Sequence, residues 1–244
     1  MKTASIGAAA AAMLITMAEA QAFTLKIRSS SDDLNNVPLI AWNGMLIAQR
    51  PGNSTTATCP PWDSNCPGKS TTIFSGPTLD GAPTQMWMGI LQEHGQRVYT
   101  HAPPKGLFDA EGYGDLISYT AAGNNEKANV PLVDAYGDLW NIVPLENDGL
   151  LGAKRGEHVL AFGPNNSTVF DICQAYRNAL GEGTWIFSRV SKYCEPILVV
   201  AEETDVAAPQ FYNCDGCELR GNFAKDGVAC YPLFCGSNNR FLWL

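Results

Sequence analysis

The chain has 244 residues, 45% of them hydrophobic and only 16% charged, and its 24 acidic against 16 basic side chains give a formal charge of −8. That length suffices for one large all-β domain or two small ones, and for a real buried core. No basic cluster occurs along it, which argues against nucleic acid and membrane surfaces as partners; acidity of this size serves solubility.

The first 22 residues read as a secretory signal. Lys2 precedes an apolar run from Ala4 to Met17, and Ala18-Glu19-Ala20-Gln21-Ala22 supplies small residues for cleavage after Ala20 or Ala22. The apolar core is too short to span a bilayer. Removing it takes Lys2 and Glu19, so 222 residues remain with 15 basic and 23 acidic side chains, still −8. No later stretch approaches the roughly 20 apolar residues of a membrane helix. The expected location is extracellular: secreted, or held in a cell wall.

Strand-forming segments then recur between turn signals: Phe23 to Arg28, Met45 to Gln49, Gln85 to Leu91, Arg97 to Thr100, Leu116 to Thr120, Leu139 to Val143, His158 to Phe162, Thr184 to Val190 and Ile197 to Ala201. In the first, period-two alternation puts Phe23, Leu25 and Ile27 on one face and Thr24, Lys26 and Arg28 on the other. Between them, Pro51 to Pro77 is rich in Pro, Gly, Ser and Thr and reads as a surface loop tethered by a Cys59–Cys66 bridge. Val169 to Leu180 is the one helical candidate, since Phe170, Cys173, Tyr176 and Leu180 fall at three- and four-residue steps before Gly181. The expected fold is all-β, a single disulfide-stapled antiparallel sandwich or barrel with at most one short helix. Trp87-Met88-Gly89-Ile90, Trp140-Asn141-Ile142 and Trp185-Ile186-Phe187 echo one another about 50 residues apart, and three such units raise a β-trefoil as the alternative. The predicted organisation is residues 1–22 as leader, 23–209 as the all-β domain, and 210–244 as a cysteine-rich segment packed on it.

Eight cysteines follow: Cys59, Cys66, Cys173, Cys194, Cys214, Cys217, Cys230 and Cys235. In a cytosolic protein the last four would suggest a zinc site, but in the secretory pathway an even number is what four disulfides require. The expectation is no metal, no cofactor, and structural bridges. Of 105 connectivities, local loops favour Cys59–Cys66, Cys173–Cys194 and two bridges within the last four. Asn53-Ser54-Thr55, Asn165-Asn166-Ser167 and Asn166-Ser167-Thr168 make Asn53, Asn165 and Asn166 glycan acceptors in loop-like surroundings.

No nucleophile elbow, His-Glu-x-x-His helix or phosphate-cradling glycine loop occurs, and no catalytic residue is assigned. The three histidines, His94, His101 and His158, read as surface or turn residues. Three carboxylates within Asp109 to Asp115 could favour calcium but match no EF-hand spacing, and read as a solvated turn. Glu202-Glu203 and Glu146-x-Asp148 are non-specific as glycosidase acids. Trp42, Trp62, Trp87, Tyr99, Tyr113 and Trp140 could stack on sugars, although most sit in strand-like segments and read as core.

One stretch resembles a known family. Arg97-Val98-Tyr99, Leu107-Phe108-Asp109, Gly112-Tyr113-Gly114 and Leu116-Ile117-Ser118-Tyr119-Thr120, followed by Leu139-Trp140-Asn141-Ile142, Gly149-Leu150, Val159-Leu160-Ala161, Trp185-Ile186-Phe187 and Cys194-Glu195-Pro196-Ile197, are similar in order and spacing to the fungal PhiA-like cell-wall proteins. The resemblance spans roughly residues 97 to 200. The chain departs from the family pattern in lacking a cysteine after Ala161 and in its four-cysteine tail. The resemblance implies a secreted, glycosylated wall component linked to phialide and spore development, without catalytic residues. Expected partners are cell-wall polysaccharide or other wall proteins. The alternatives are a secreted effector or elicitor acting on a host, and a polysaccharide-binding or polysaccharide-hydrolysing protein.

Overall fold

The structure is a computed structural model that describes residues 22–42, 44–48, 57–59, 71–78, 81–89, 96–101, 115–120, 137–148, 150–174, 185–189, 194–209 and 211–212. These form fourteen strands: β1 (Phe23–Arg28), β2 (Leu39–Trp42), β3 (Met45–Ala48), β4 (Ala57–Thr58), β5 (Phe74–Ser75), β6 (Met86–Met88), β7 (Gln96–His101), β8 (Asp115–Tyr119), β9 (Trp140–Pro144), β10 (His158–Phe162), β11 (Phe170–Gln174), β12 (Trp185–Arg189), β13 (Glu195–Glu203) and β14 (Phe211–Tyr212). Among the described residues the only helical element is a 3-10 turn at Leu150–Gly152. The all-β expectation holds. No helix there is long and apolar enough to cross a membrane.

Twelve strands share one antiparallel sheet, and the sheet closes on itself. β1 pairs with β13 along its whole length, from Phe23 opposite Glu203 to Arg28 opposite Leu198. The ring continues from β1 to β5, β5 to β6, β6 to β9 through the Thr84–Trp140 bridge, β9 to β10, and β10 back to β13. The other six strands make three hairpins, β2–β3, β7–β8 and β11–β12. Their second strands meet in a triangle: Met45 opposite Ser118, Leu116 opposite Ser188, and Ile186 opposite Ile47. A six-stranded barrel capped by a triangle of hairpins is the strand order of a β-trefoil. Pairing therefore selects a barrel of the threefold kind from the architectures the sequence allows.

The threefold units run β1–β3 with β5, β6–β9, and β10–β13. Trp87 falls in the barrel strand that opens the second unit, Trp140 in the strand that closes the same unit, and Trp185 in the cap of the third. The tryptophan echo thus marks non-equivalent positions. The equivalent core residues are Leu46, Ile117 and Phe187, one from the second strand of each cap hairpin, and all three belong to the central cluster.

Local chemistry explains the elements. β1 alternates as its sequence dictates, with Phe23, Leu25 and Ile27 buried and Thr24, Lys26 and Arg28 half-buried. β13 pairs with β1 on one edge and with β10 and β11 on the other, and its apolar run from Ile197 to Ala201 is buried on both faces. Trp140 lies at the centre of the core. Its ring meets Phe162 edge-on at 4.6 Å and stacks with Phe170 at 6.4 Å, while its indole N–H donates to the Val98 carbonyl at 3.3 Å. At Gly76, φ is +107° and an added Cβ would lie 2.1 Å from the Gln85 carbonyl oxygen, so only glycine fits between β5 and β6.

Two expectations are corrected. Val169 to Leu180 is not a helix in its described part: Phe170–Gln174 is β11, paired with β12 on one edge and β13 on the other. Nor is Pro51 to Pro77 simply a surface loop, since it contributes β4 and β5, and Thr72, Ile73, Phe74 and Ser75 are buried. Residues 175–180 and most of 51–70 lie outside the described residues.

Candidate functional site

The polar residues that carry chemistry fall in three places: in the cap, along the strands flanking it and the barrel, and at the β10–β11 turn. In the cap, β7 and β8 pair with His101 opposite Leu116 and Tyr99 opposite Ser118, which sets the side chains of His101 and Ser118 diagonally on one face, the one opposite Ile117 and the central cluster. His101 Nε2 lies 2.9 Å from Ser118 Oγ, and the Tyr99 and His101 rings are 5.4 Å apart. Ser188 joins from β12, its hydroxyl donating to the Asp115 carbonyl at 3.0 Å. His101 is therefore a buried strand residue and not the surface or turn residue its neighbouring prolines suggest. His158 begins β10 and is half-buried, and His94 lies outside the described residues.

A serine hydroxyl within hydrogen-bond reach of an imidazole is the geometry of an activated nucleophile. Access decides what it can do here. His101 is 1% exposed, and Ser118, Ser188 and Tyr99 have no exposed surface. Burial pushes the Tyr99 phenol well above its ordinary pKa and keeps it a neutral donor. Their hydrogen bonds satisfy polar groups inside the fold.

The barrel wall carries ion pairs. Lys26 Nζ contacts Glu202 Oε2 at 2.5 Å, and Arg28 Nη2 contacts Glu157 Oε1 at 2.6 Å, tying β1 to β13 and to the approach to β10. Burial raises the Glu157 carboxyl, but the Arg28 hydrogen bond, the Lys154 backbone N–H and the positive charges of both residues outweigh it and hold the group below its usual range. Arg189 stacks 4.0 Å above the Phe162 ring and lies 3.9 Å from Asp115; burial lowers its pKa and Asp115 opposes that. Buried Arg97 pairs with Asp138, while its Nε and Nη1 have no hydrogen-bond partner among the described residues. Of the carboxylates that could nominally serve a glycosidase, Glu202 is held by Lys26, and Asp148 accepts the Arg155 backbone N–H at 2.5 Å. A small pocket of about 170 Å³ opens beside β1 and β2, lined by Thr24, Lys26, Pro38, Leu39, Thr71 and Thr72 among others. Among the described residues no group of three or more histidine, cysteine or carboxylate side chains could hold a metal ion.

At the β10–β11 turn, Phe162 and Ser167 exchange two backbone hydrogen bonds across Gly163-Pro164-Asn165-Asn166. Asn165 and Asn166 are exposed. Asn166 takes a left-handed conformation, φ 48°, and its side-chain oxygen accepts the amide of buried Asn141 at 3.3 Å. Both acceptor asparagines are thus on an open turn, while Asn53 lies outside the described residues.

Cys173 and Cys194 form a disulfide from β11 to the start of β13, the pair favoured by loop length. Cys59, directly after β4, is also disulfide-bonded. Cys66, Cys214, Cys217, Cys230 and Cys235 lie outside the described residues, as do residues 109–114 of the acidic turn, Trp62 and Tyr113. Of the aromatic residues weighed for sugar stacking, Tyr99 and Trp140 are buried and Trp42 and Trp87 half-buried. The His101–Ser118 contact is not legible in the order of residues, because strand register alone brings these side chains together. No family model, curated protein or solved structure shows a significant match to this chain.

Proposed function

We propose that this protein is a secreted, non-catalytic structural component of a fungal cell wall or surface, of the PhiA-like kind and linked to spore or phialide development. The observation that carries the reading is the Cys173–Cys194 disulfide, which ties the cap strand β11 to the start of the barrel strand β13. Structural disulfides belong to oxidising compartments, and the signal-like leader accounts for how the chain would reach one. A closed barrel also leaves few exposed strand edges, a useful property for a protein that must persist outside the cell. The exposed Asn165 and Asn166 offer sugar attachment on the side of the barrel where β10 turns into β11. Burial of the Ser118–His101 couple favours a structural over a hydrolytic role. Wall polysaccharide or other wall proteins are the partners this reading requires.

The test is deletion combined with localisation of a tagged copy. The reading requires the tag in the wall fraction and a defect in wall integrity or spore formation. Normal growth with lost virulence would assign the protein to host-directed effectors instead. Turnover of glucan, chitin or mannan by purified protein, abolished by one carboxylate-to-amide change, would make it a hydrolase.

A further inference from the structure

The β10–β11 turn is tied down at every residue that could swing. The Asn166 N–H donates to the Gly163 carbonyl at 3.1 Å, closing a tight turn over Pro164 and Asn165, and the Phe162 and Ser167 bonds of 3.0 and 3.1 Å lie just outside it. The Gly163 N–H donates to the Leu139 carbonyl at 2.9 Å, so the turn is rooted on the approach to β9 as well. Pro164 suits the first central position of such a turn, and Asn166 takes the left-handed conformation, φ 48°, that asparagine tolerates better than most side chains.

Two carboxamides then orient each other. Asn141, buried in β9, accepts the Ile142 N–H with its Oδ1 at 2.9 Å, which leaves its Nδ2 to donate to Asn166 Oδ1 at 3.3 Å. The oxygen of Asn166 is thus turned towards a buried partner. Its Nδ2, the atom to which an N-linked sugar is attached, is turned away from that partner on an exposed residue.

The chain offers the acceptor pattern twice in four residues, Asn165 with Ser167 and Asn166 with Thr168. A branched oligosaccharide on one asparagine obstructs the next, so the two compete. The β-methyl of Thr168 restricts its χ1, and its hydroxyl is held for the transfer at less cost in rotamer freedom than that of Ser167.

We propose that Asn166 is the N-glycosylation site of this turn and that Asn165 stays bare, an inference that rests on export of the chain. In the transfer Asn166 Nδ2 attacks the anomeric carbon of a lipid-diphosphate-linked oligosaccharide. A C–N bond forms, the C–O bond to the diphosphate breaks, the lipid diphosphate leaves, and the amide gives up one proton. The substituted amide keeps its carbonyl oxygen, so the hydrogen bond from Asn141 survives once the chain folds and directs the first sugar outward from the turn.

The test uses the full chain, with a proven secretion leader in place of residues 1–22, made in a eukaryotic host. Enzymatic release of N-glycans in heavy-oxygen water converts a glycosylated asparagine to labelled aspartate, located by fragmenting the tryptic peptide from Gly156 to Arg177. The label should fall on Asn166. Ser167→Ala, which destroys only the Asn165 pattern and keeps the backbone bonds of the turn, should leave occupancy unchanged. The sugar on this peptide should also be trimmed by endoglycosidase from the native protein without denaturant, as an outward-facing attachment requires. Label on Asn165, an unlabelled peptide, loss of occupancy in Ser167→Ala, or trimming only after denaturation would each overturn the proposal. Because the borrowed leader drives export, these outcomes judge the site alone; the natural leader is judged by the N-terminus of the native protein.

Discussion

Glu157 is held in its ionised form by Arg28 and the Lys154 N–H. Its pKa in the folded protein lies below its ordinary value, so the unfolded chain takes up the proton first as pH falls. The stabilisation is complete above the unfolded value of about 4.3 and is lost as pH drops through the folded value. Glu157→Gln should cost about 1 kcal/mol near neutral pH, less at high salt, and flatten the acid limb of a stability–pH curve measured by urea unfolding. Ser118 tests the buried cap in the same way. Ser118→Ala removes a partner from the buried His101 imidazole and should lower stability by about 1–3 kcal/mol in the same assay. Neither effect could be anticipated from the order of residues. The Arg28–Glu157 contact joins groups 129 positions apart, and His101 beside two prolines looks like a turn until β8 is placed next to it.

Among the elements, β11 is the most instructive. Phe170 and Ile172 point into the central cluster, yet Asp171 and Cys173 on the other face are buried too. A strand enclosed on both faces loses the two-residue alternation that identifies strands, and the spacing of Phe170 and Cys173 then imitates a helix. β1 was legible for the opposite reason: one face is core and the other is partly wet. β2 was overlooked although Asn43-Gly44 follows it, a strong hairpin signal, and Gly44 has the positive φ, 83°, that such turns need. β5 could not be read at all, since two residues among prolines and glycines become a strand only through β1 and β6. The Cys173–Cys194 bridge was legible because loop length constrains pairing. It closes a separation of 21 residues, and the double variant Cys173→Ser with Cys194→Ser should lose about 3 kcal/mol by chain entropy, read as a lower urea midpoint with an intact β-sheet circular dichroism spectrum.

For the whole molecule, the structure explains how a chain with short strands and many turns can persist. Six strands close a ring, three hairpins seal one end, and Trp140 with its phenylalanine neighbours fills the centre. The sequence led to the threefold alternative through tryptophans that turn out to occupy unrelated positions; the real repeat lies in backbone pairing, which amino-acid identity need not follow. Export remains the claim on which the functional account depends, because it makes cross-links of the cysteines and gives meaning to the asparagines on the β10–β11 turn. Intact-mass spectrometry of the native protein, before and after reduction, tests it most directly. The account predicts a chain beginning at Gln21 or Phe23 that gains eight hydrogens on full reduction, one for each cysteine. A chain retaining Met1 and Lys2, recovered from cytosol with eight thiols free to react, would contradict it.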